Sequence, residues 1–246
     1  MLPQEDLIYL GDTARVPYGT KSAATVTRYS VQNVRFLLEQ KVKMVVVACN
    51  TASAFSLEEL RKQYPVPIVG VIEPGAKGAL QATRSGRIGV IGTEGTVKSE
   101  AYAQSLVSRD PKVFVASTPC PLFVPLVEEG WLTGEVTERI AQEYLQKPLA
   151  QKIDTLILGC THYPLLKPTL QKVAGNEVAL IDSAEETAKE VALLLAQKGL
   201  MRLMRRENKM PRRDFYVTDS PERFRRVGEI FLKNPFKNIH HVTIEA

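Results

Sequence analysis

Cysteine is scarce in this chain, with three residues among 246, at positions 49, 120 and 160. An odd and dispersed set argues against a disulfide framework. Histidine also occurs three times and tryptophan once. There is no Cys-x-x-Cys, and His240-His241 lack nearby partner ligands, so the sequence indicates no metal site. Neither a dinucleotide fingerprint nor a phosphate-binding P-loop is present. Gly86-Arg87-Ile88-Gly89 and Gly92-Thr93-Glu94-Gly95-Thr96 are glycine-rich, but their spacing is wrong for either, so no cofactor is indicated. No apolar run approaches the roughly 18 residues of a membrane span. Met1-Leu2-Pro3-Gln4-Glu5-Asp6 lacks the basic and apolar regions of a signal peptide. Together these absences predict a cytoplasmic protein with no membrane partner. Low-complexity tracts and solenoid repeats are also absent.

What is present suits one large or two small soluble domains: 44% hydrophobic and 24% charged residues. The formal net charge is +5. Much of the excess lies in Arg202, Arg205, Arg206, Lys209, Arg212 and Arg213. Basic clusters attract phosphates, but no aromatic residues are interleaved here and no nucleic-acid motif accompanies them. The cluster reads as a solvated linker, and a nucleic-acid partner is not expected.

Short apolar runs alternate with helical patterns. The expected strands are 7–10, 44–48, 68–72, 88–92, 113–116, 155–158, 178–181 and 215–217. Most are apolar on both faces, as buried parallel strands are. Ser22 is placed to cap a helix running to about Gln40, and Ser183-Ala184-Glu185-Glu186 reads as a capping box before Thr187 to Lys198. Pro148 and Pro164 are expected at helix boundaries. The alternation predicts two similar doubly wound α/β lobes with mainly parallel sheets and a cleft between them. Crossovers at Glu73-Pro74-Gly75 and Asp182-Ser183 would make 74–181 one lobe, and 1–73 with 182–246 the other.

Cys49 and Cys160 have matched settings. Each follows an apolar run and opens a polar turn, in Val47-Ala48-Cys49-Asn50-Thr51 and Leu158-Gly159-Cys160-Thr161-His162. Ligands gather beyond the carboxyl ends of such strands. A helix expected to begin after Cys49 would favour its thiolate and offer free N–H groups to a carboxylate. His162 could exchange a proton with Cys160. Two thiols on two lobes could face one molecule from opposite sides, which suits inversion at carbon. Cys120, between Pro119 and Pro121, is expected to be structural. The loop from Gly11 to Gly19 is longer than an ordinary βα connection and could point Tyr18 and backbone amides into the cleft.

Taken together, these stretches resemble the bacterial glutamate racemases of the aspartate/glutamate racemase superfamily. The matching segments are 9–19, 48–54, 70–76, 120–128 and 158–166, and 216–231 is similar to the family's last strand and helix. The resemblance implies cofactor- and metal-free interconversion of L- and D-glutamate, with D-glutamate used for peptidoglycan and cell-wall biogenesis. It implies that Cys49 and Cys160 act as the two proton-transfer groups, assisted on the second side by His162 and Glu128. It implies substrate contacts from Tyr18, Gly19, Asn50, Thr51, Thr93, Thr161 and His162, with Thr96 a further candidate, and it implies a homodimer.

One departure stands out. The family pattern opens with a strand and an Asp-Ser-Gly turn that have no counterpart before Leu7. By the resemblance, that Asp assists the first cysteine and that Ser binds substrate. Weak activity and an open seam in the Cys49 lobe are therefore expected. An aspartate racemase, or an inactive shortened relative that acts by binding, are the alternatives.

Overall fold

The structure is a computed structural model that describes residues 1–202, 210–232 and 237–244. Its centre is a parallel four-stranded sheet. The strands are β4 (Arg87–Gly92), β5 (Phe114–Pro119), β6 (Thr155–Gly159) and β7 (Ala179–Asp182), in the order β5-β4-β6-β7. Residues Ile88, Val90 and Ile91 of β4 and Leu156, Ile157 and Leu158 of β6 are buried. Burial on both faces explains why these strands read as continuous apolar runs rather than alternating ones.

The second lobe has two smaller parallel sheets. One joins β1 (Leu7–Gly11), β8 (Arg213–Val217) and β9 (Ile239–His241) in the order β1-β8-β9, and the other pairs β2 (Val45–Val47) with β3 (Ile68–Gly70). Among the described residues β1 and β2 share no ladder, and Leu7, Tyr9 and Val46 are exposed.

Helices cover the sheets. α1 (Ala23–Glu39) starts where expected, with the Ser22 side chain accepting from the Thr25 N–H. It packs on α2 (Asn50–Gln63), which burial of Val34, Leu57 and Leu60 secures. α3 (Ile72–Ala82) packs on α9 (Ser183–Gln197) and on α5 (Ala101–Val107). The remaining helices are α4 (Glu94–Lys98), α6 (Phe123–Glu128), α7 (Glu135–Ala150), α8 (Lys167–Ala174) and α10 (Pro221–Leu232).

Several local expectations need correction. α9 is capped by Asp182, whose carboxylate accepts from the Ala184 N–H at 2.9 Å; Ser183 is already helical. An aspartate one residue earlier satisfies the same free donors, so the box shifts by one position. Pro148 lies inside the last turn of α7 rather than at its boundary, two residues before the helix ends. The third strand stops at Gly70 because α3 begins at Ile72, so Glu73-Pro74-Gly75 forms a helical first turn. Proline fits there because the first turn's N–H groups have no intrahelical partner. Strand β9 was not foreseen; its His-His sequence has no apolar pattern to mark it.

Of the basic cluster, Arg205, Arg206 and Lys209 lie outside the described residues. Arg202 pairs with Asp6, Arg212 with Asp214, and Arg213 donates to the Pro3 carbonyl at 3.1 Å. The described arginines thus tie the first residues of the chain to β8.

Candidate active site

Cys49 ends the β2 segment and is the N-cap of α2, with the extended backbone of a capping residue (φ −77°, ψ 127°). The residue is half-buried. Burial of the sulfur pushes its pKa up. The Ala52 and Thr51 N–H groups and the Thr51 hydroxyl oppose that shift. These groups act on the thiol electrostatically although it closes no well-aligned capping bond. A helix N-terminus favours the anion in this way.

Cys160 follows β6 and is buried. Gly159 makes this turn feasible: a Cβ there would lie 2.6 Å from the Ile91 carbonyl oxygen, so only glycine lets β6 and β4 approach so closely. Burial pushes the Cys160 thiol up to about 12; the His162 N–H favours the thiolate, and charge on Cys49 raises the pKa further. The two sulfurs therefore lie within electrostatic reach of each other. His162 Nδ1 is 3.8 Å from Cys160 Sγ, and its Nε2 is 3.2 Å from Glu128 Oε1. The hydrogen bond from His162 leads the effects that hold Glu128 below the ordinary carboxylate range; burial opposes it, and Arg223 adds to it. Arg223 Nη2 of α10 lies 3.5 Å from Glu128 Oε2. The chain of contacts runs Arg223–Glu128–His162–Cys160. Thr161 Oγ1 lies 3.4 Å from His162 Nδ1 and faces the same imidazole.

The segment that opens α2 meets the one that opens α4 through hydroxyls. Thr51 Oγ1 lies 2.9 Å from Thr93 Oγ1 and 3.1 Å from Thr96 Oγ1. Thr93 caps α4 by accepting from the Thr96 N–H. Gly95 N–H donates to the Gly19 carbonyl at 2.9 Å, and a Cβ on Gly19 would lie 2.6 Å from Thr93 Cβ. The loop after β1 thus reaches the middle lobe through its glycine. Asn50, 2% exposed, opens α2. Its Oδ1 accepts from the Tyr102 hydroxyl at 2.7 Å. Its Nδ2 is the one buried side-chain nitrogen or oxygen without a partner among the described residues.

Tyr18 is buried, and its hydroxyl donates to Asp12 and accepts from Asn33 Nδ2 at 3.2 Å. Burial, with Asp12 adding to it, pushes its pKa far up, so the phenol stays protonated. Arg15 Nε donates to both Asp12 oxygens at 2.8 Å. Asp12, Arg15 and Asn33 were not singled out from the sequence. The signal available was a strand end followed by Asp and Arg three positions apart, close enough for a salt bridge. Cys120 is fully buried, its thiol pointing at the Thr118 carbonyl at 3.6 Å, and burial raises its pKa. Among the described residues no group of three or more His, Cys, Asp or Glu could hold a metal ion. A cavity of about 280 Å³ lies elsewhere, lined by Arg61, Glu73, Lys77, Arg109 and Glu190. Arg61 pairs there with Glu73, and Lys77 with Glu190, so its charges largely answer one another and it offers no nucleophile.

Residues 1–191 match the Asp/Glu/Hydantoin racemase family. The chain belongs to that family. This racemase, an isomerase, is 52% identical over 245 residues to a glutamate racemase of Geobacter metallireducens, covering 100% of this chain and 90% of the relative. It is similar to the crystal structure of the Bacillus anthracis glutamate racemase isoform RacE1, with a TM-score of 0.94 and 38% identity over 99% of this chain and 90% of that one. A glutamate racemase from Francisella tularensis, solved in complex with D-glutamate, has a TM-score of 0.91 and 39% identity, covering 100% of this chain and 90% of that one. Both neighbours carry the α/β architecture seen here. No described helix of this racemase is long and apolar enough to cross a membrane.

Proposed function

We propose that this racemase interconverts L- and D-glutamate by a two-thiol mechanism that needs no cofactor. The observation that carries the reading is the pair of thiols at two strand ends, Cys160 within reach of charge on Cys49, with the hydrogen-bonded Thr51–Thr93–Thr96 hydroxyls joining the two segments. One thiolate takes the α-proton, breaking the C–H bond and leaving its electron pair on a carbanion. The opposite thiol gives its proton to the other face. The substrate is inverted, and the charged sulfur has changed sides. In the reverse direction the roles exchange.

The α-proton is a very weak acid, so substrate fixation and water exclusion must lower the barrier. On the Cys160 side, ionised Glu128 accepts the His162 Nε2 proton. Nδ1 can then accept from the Cys160 thiol, a tautomer inferred from this network. On the Cys49 side the α2 N-terminus does the equivalent work. The N–H donors and the free Asn50 amide suit substrate carboxylates. Substrate contacts are assigned to Tyr18, Gly19, Asn50, Thr51, Thr93, Thr161 and His162. Tyr18 contributes through its ring and backbone, because its hydroxyl is held by Asp12.

Under the same proposal the lobes are 74–181 and 1–73 with 182–246, the product D-glutamate supplies peptidoglycan in the cytoplasm, and the protein is a homodimer. Sedimentation as a monomer would overturn the last point. The central test is incubation of each glutamate enantiomer, and of L-aspartate, in deuterated water. Inversion of glutamate with uptake of one deuterium at Cα is expected. Inversion of aspartate in place of glutamate, or exchange with neither, would overturn the substrate assignment.

A further inference from the structure

We propose that Tyr102 is a positioning residue that fixes the Asn50 side-chain amide with its NH2 group presented to the substrate. An asparagine amide offers an acceptor at one end and a donor at the other, and in a symmetric pocket the two ends can exchange. Here one orientation is favoured. The Tyr102 hydroxyl donates to Asn50 Oδ1 at 2.7 Å, and burial pushes the phenol's pKa far above its ordinary value, so it keeps its proton. Reversing the amide would make the hydroxyl accept from the NH2 group and give its proton to another partner, such as Ser183, leaving Asn50 Oδ1 in the buried place of Nδ2. The NH2 group is therefore turned away from Tyr102, and it is the one buried side-chain polar atom without a partner among the described residues.

A buried donor left unpaired is costly, so the site is matched to a ligand with an acceptor oxygen, such as a carboxylate. Tyr102 is well placed to hold this orientation. It is 2% exposed on α5 of the middle lobe, whereas Asn50 opens α2 of the other. Its hydroxyl also sits where the chain passes between the lobes. A Cβ on Gly75 would meet Tyr102 Oη at 3.1 Å and Ser183 Cβ at 3.3 Å. The same phenol thus joins Gly75 and Ser183, where the proposed lobe crossovers lie, to a substrate-binding donor.

The proposal rests on the glutamate reading, and the test separates the two. Tyr102→Phe keeps the ring and removes the hydroxyl. It should raise KM for both enantiomers about tenfold, the scale of one buried hydrogen-bond partner. It should leave kcat within about twofold and melting within a few degrees. In an Asn50→Ala background the same change should raise KM no further. A Tyr102→Phe variant with unchanged KM, or effects that multiply in the double variant, would overturn the positioning role; a fall confined to kcat would point to the crossovers instead. Asn50 side-chain NH2 resonances give a readout free of substrate. They should be a single sharp pair in the wild type, and should broaden or double in Tyr102→Phe. If they stay sharp and single, the proposal fails whatever the substrate is. If they change while glutamate neither binds nor inverts, only the substrate reading fails.

Discussion

Cys160 and Cys49 sit at corresponding places in two lobes that are built differently. β6, which leads to Cys160, is paired on both sides within one four-stranded sheet, by β4 and by β7. β2, which leads to Cys49, is three residues long and, among the described residues, paired on one side only, by β3. The polar surroundings differ too. Cys49 relies on backbone, the N–H groups that open α2. Cys160 has backbone support of the same kind, from the His162 and Tyr163 N–H groups, and adds a side-chain partner, the His162 imidazole tied to Glu128. The turn after β6 thus carries an imidazole tied to α6, whereas the short β2 runs straight into the helix whose N–H groups support Cys49. Under the two-thiol proposal, symmetric chemistry at the substrate would not require symmetric support, and variants should separate the two sides.

The largest effect belongs to the thiols. Cys49→Ser and Cys160→Ser should each lower racemisation by about 10²- to 10⁴-fold, the usual contribution of a positioned acid or base. The residual chemistry is the sharper readout. A lone thiolate can remove a proton and return a deuteron to the same face. Each single variant should then exchange the α-proton of one enantiomer without inverting it, and the two variants should choose opposite enantiomers. Exchange of the same enantiomer by both would place the sulfurs on one side of the substrate and end the comparison.

A smaller loss is expected from Glu128→Gln, about tenfold, because a charged hydrogen-bond partner is replaced by a neutral one. The equilibrium constant between enantiomers is one, so kcat/KM must fall equally in both directions. The asymmetry has to be sought in the single-thiol variants. Glu128→Gln should slow exchange by the Cys49→Ser protein, which depends on Cys160, and spare the Cys160→Ser protein. Equal slowing of both would make Glu128 a structural residue.

The pH dependence follows from the raised thiols. Burial favours the protonated form of both, so the thiolate fraction grows as pH rises, and kcat/KM should climb from neutral pH into the alkaline range. It should fall again only when the last thiol proton is lost. The two sulfurs interact, so these limbs belong to the pair. For stability the sign is the reverse. The folded protein holds the Cys160 proton up to about 12, against a reference of 9.0. That contribution is complete below about pH 9 and disappears as pH rises toward 12. Urea midpoints should decline over that window, and Cys160→Ser should lessen the decline while leaving the share of Cys120, whose thiol burial also raises. A flat wild-type profile would mean that the sulfur is better solvated than its burial implies.

Much of this was legible in the sequence because the central strands are apolar on both faces and end in polar turns. Eight of the nine strands among the described residues lie within a few residues of their expected positions, since runs such as Leu156-Ile157-Leu158 have few other readings. The matched strand-end settings of Cys49 and Cys160 and the His162 neighbour were legible from local spacing. Contacts between distant segments were not. Nothing near Tyr102 announces that it meets Asn50, and nothing in Pro221-Glu222-Arg223 announces Glu128. The short helices α4 and α6 were missed because five or six residues give too little period to recognise. The Asp12–Arg15–Tyr18 network lay inside a loop already singled out, but its hydrogen bonds depend on how that loop folds back.

The smallest expected effect concerns Arg223, and it tests whether the C-terminal helix takes part in the Cys160 side at all. Its side chain is 65% exposed, and its contact with Glu128 spans 3.5 Å. Exposed pairs of this kind contribute about 0.2–1 kcal/mol, and salt screens them. Arg223→Ala should therefore lower kcat/KM by no more than about fivefold, and raising ionic strength should shrink the gap from wild type. In the single-thiol variants the loss should follow Cys160 alone, because Arg223 reaches the sulfur only through Glu128 and His162. Arg223→Lys should recover most of it by restoring the charge. If Arg223→Ala slows both single-thiol proteins alike, the ion pair acts by holding the lobes together rather than by steadying the Glu128 carboxylate. The difference between the two sulfur sites would then end at Glu128.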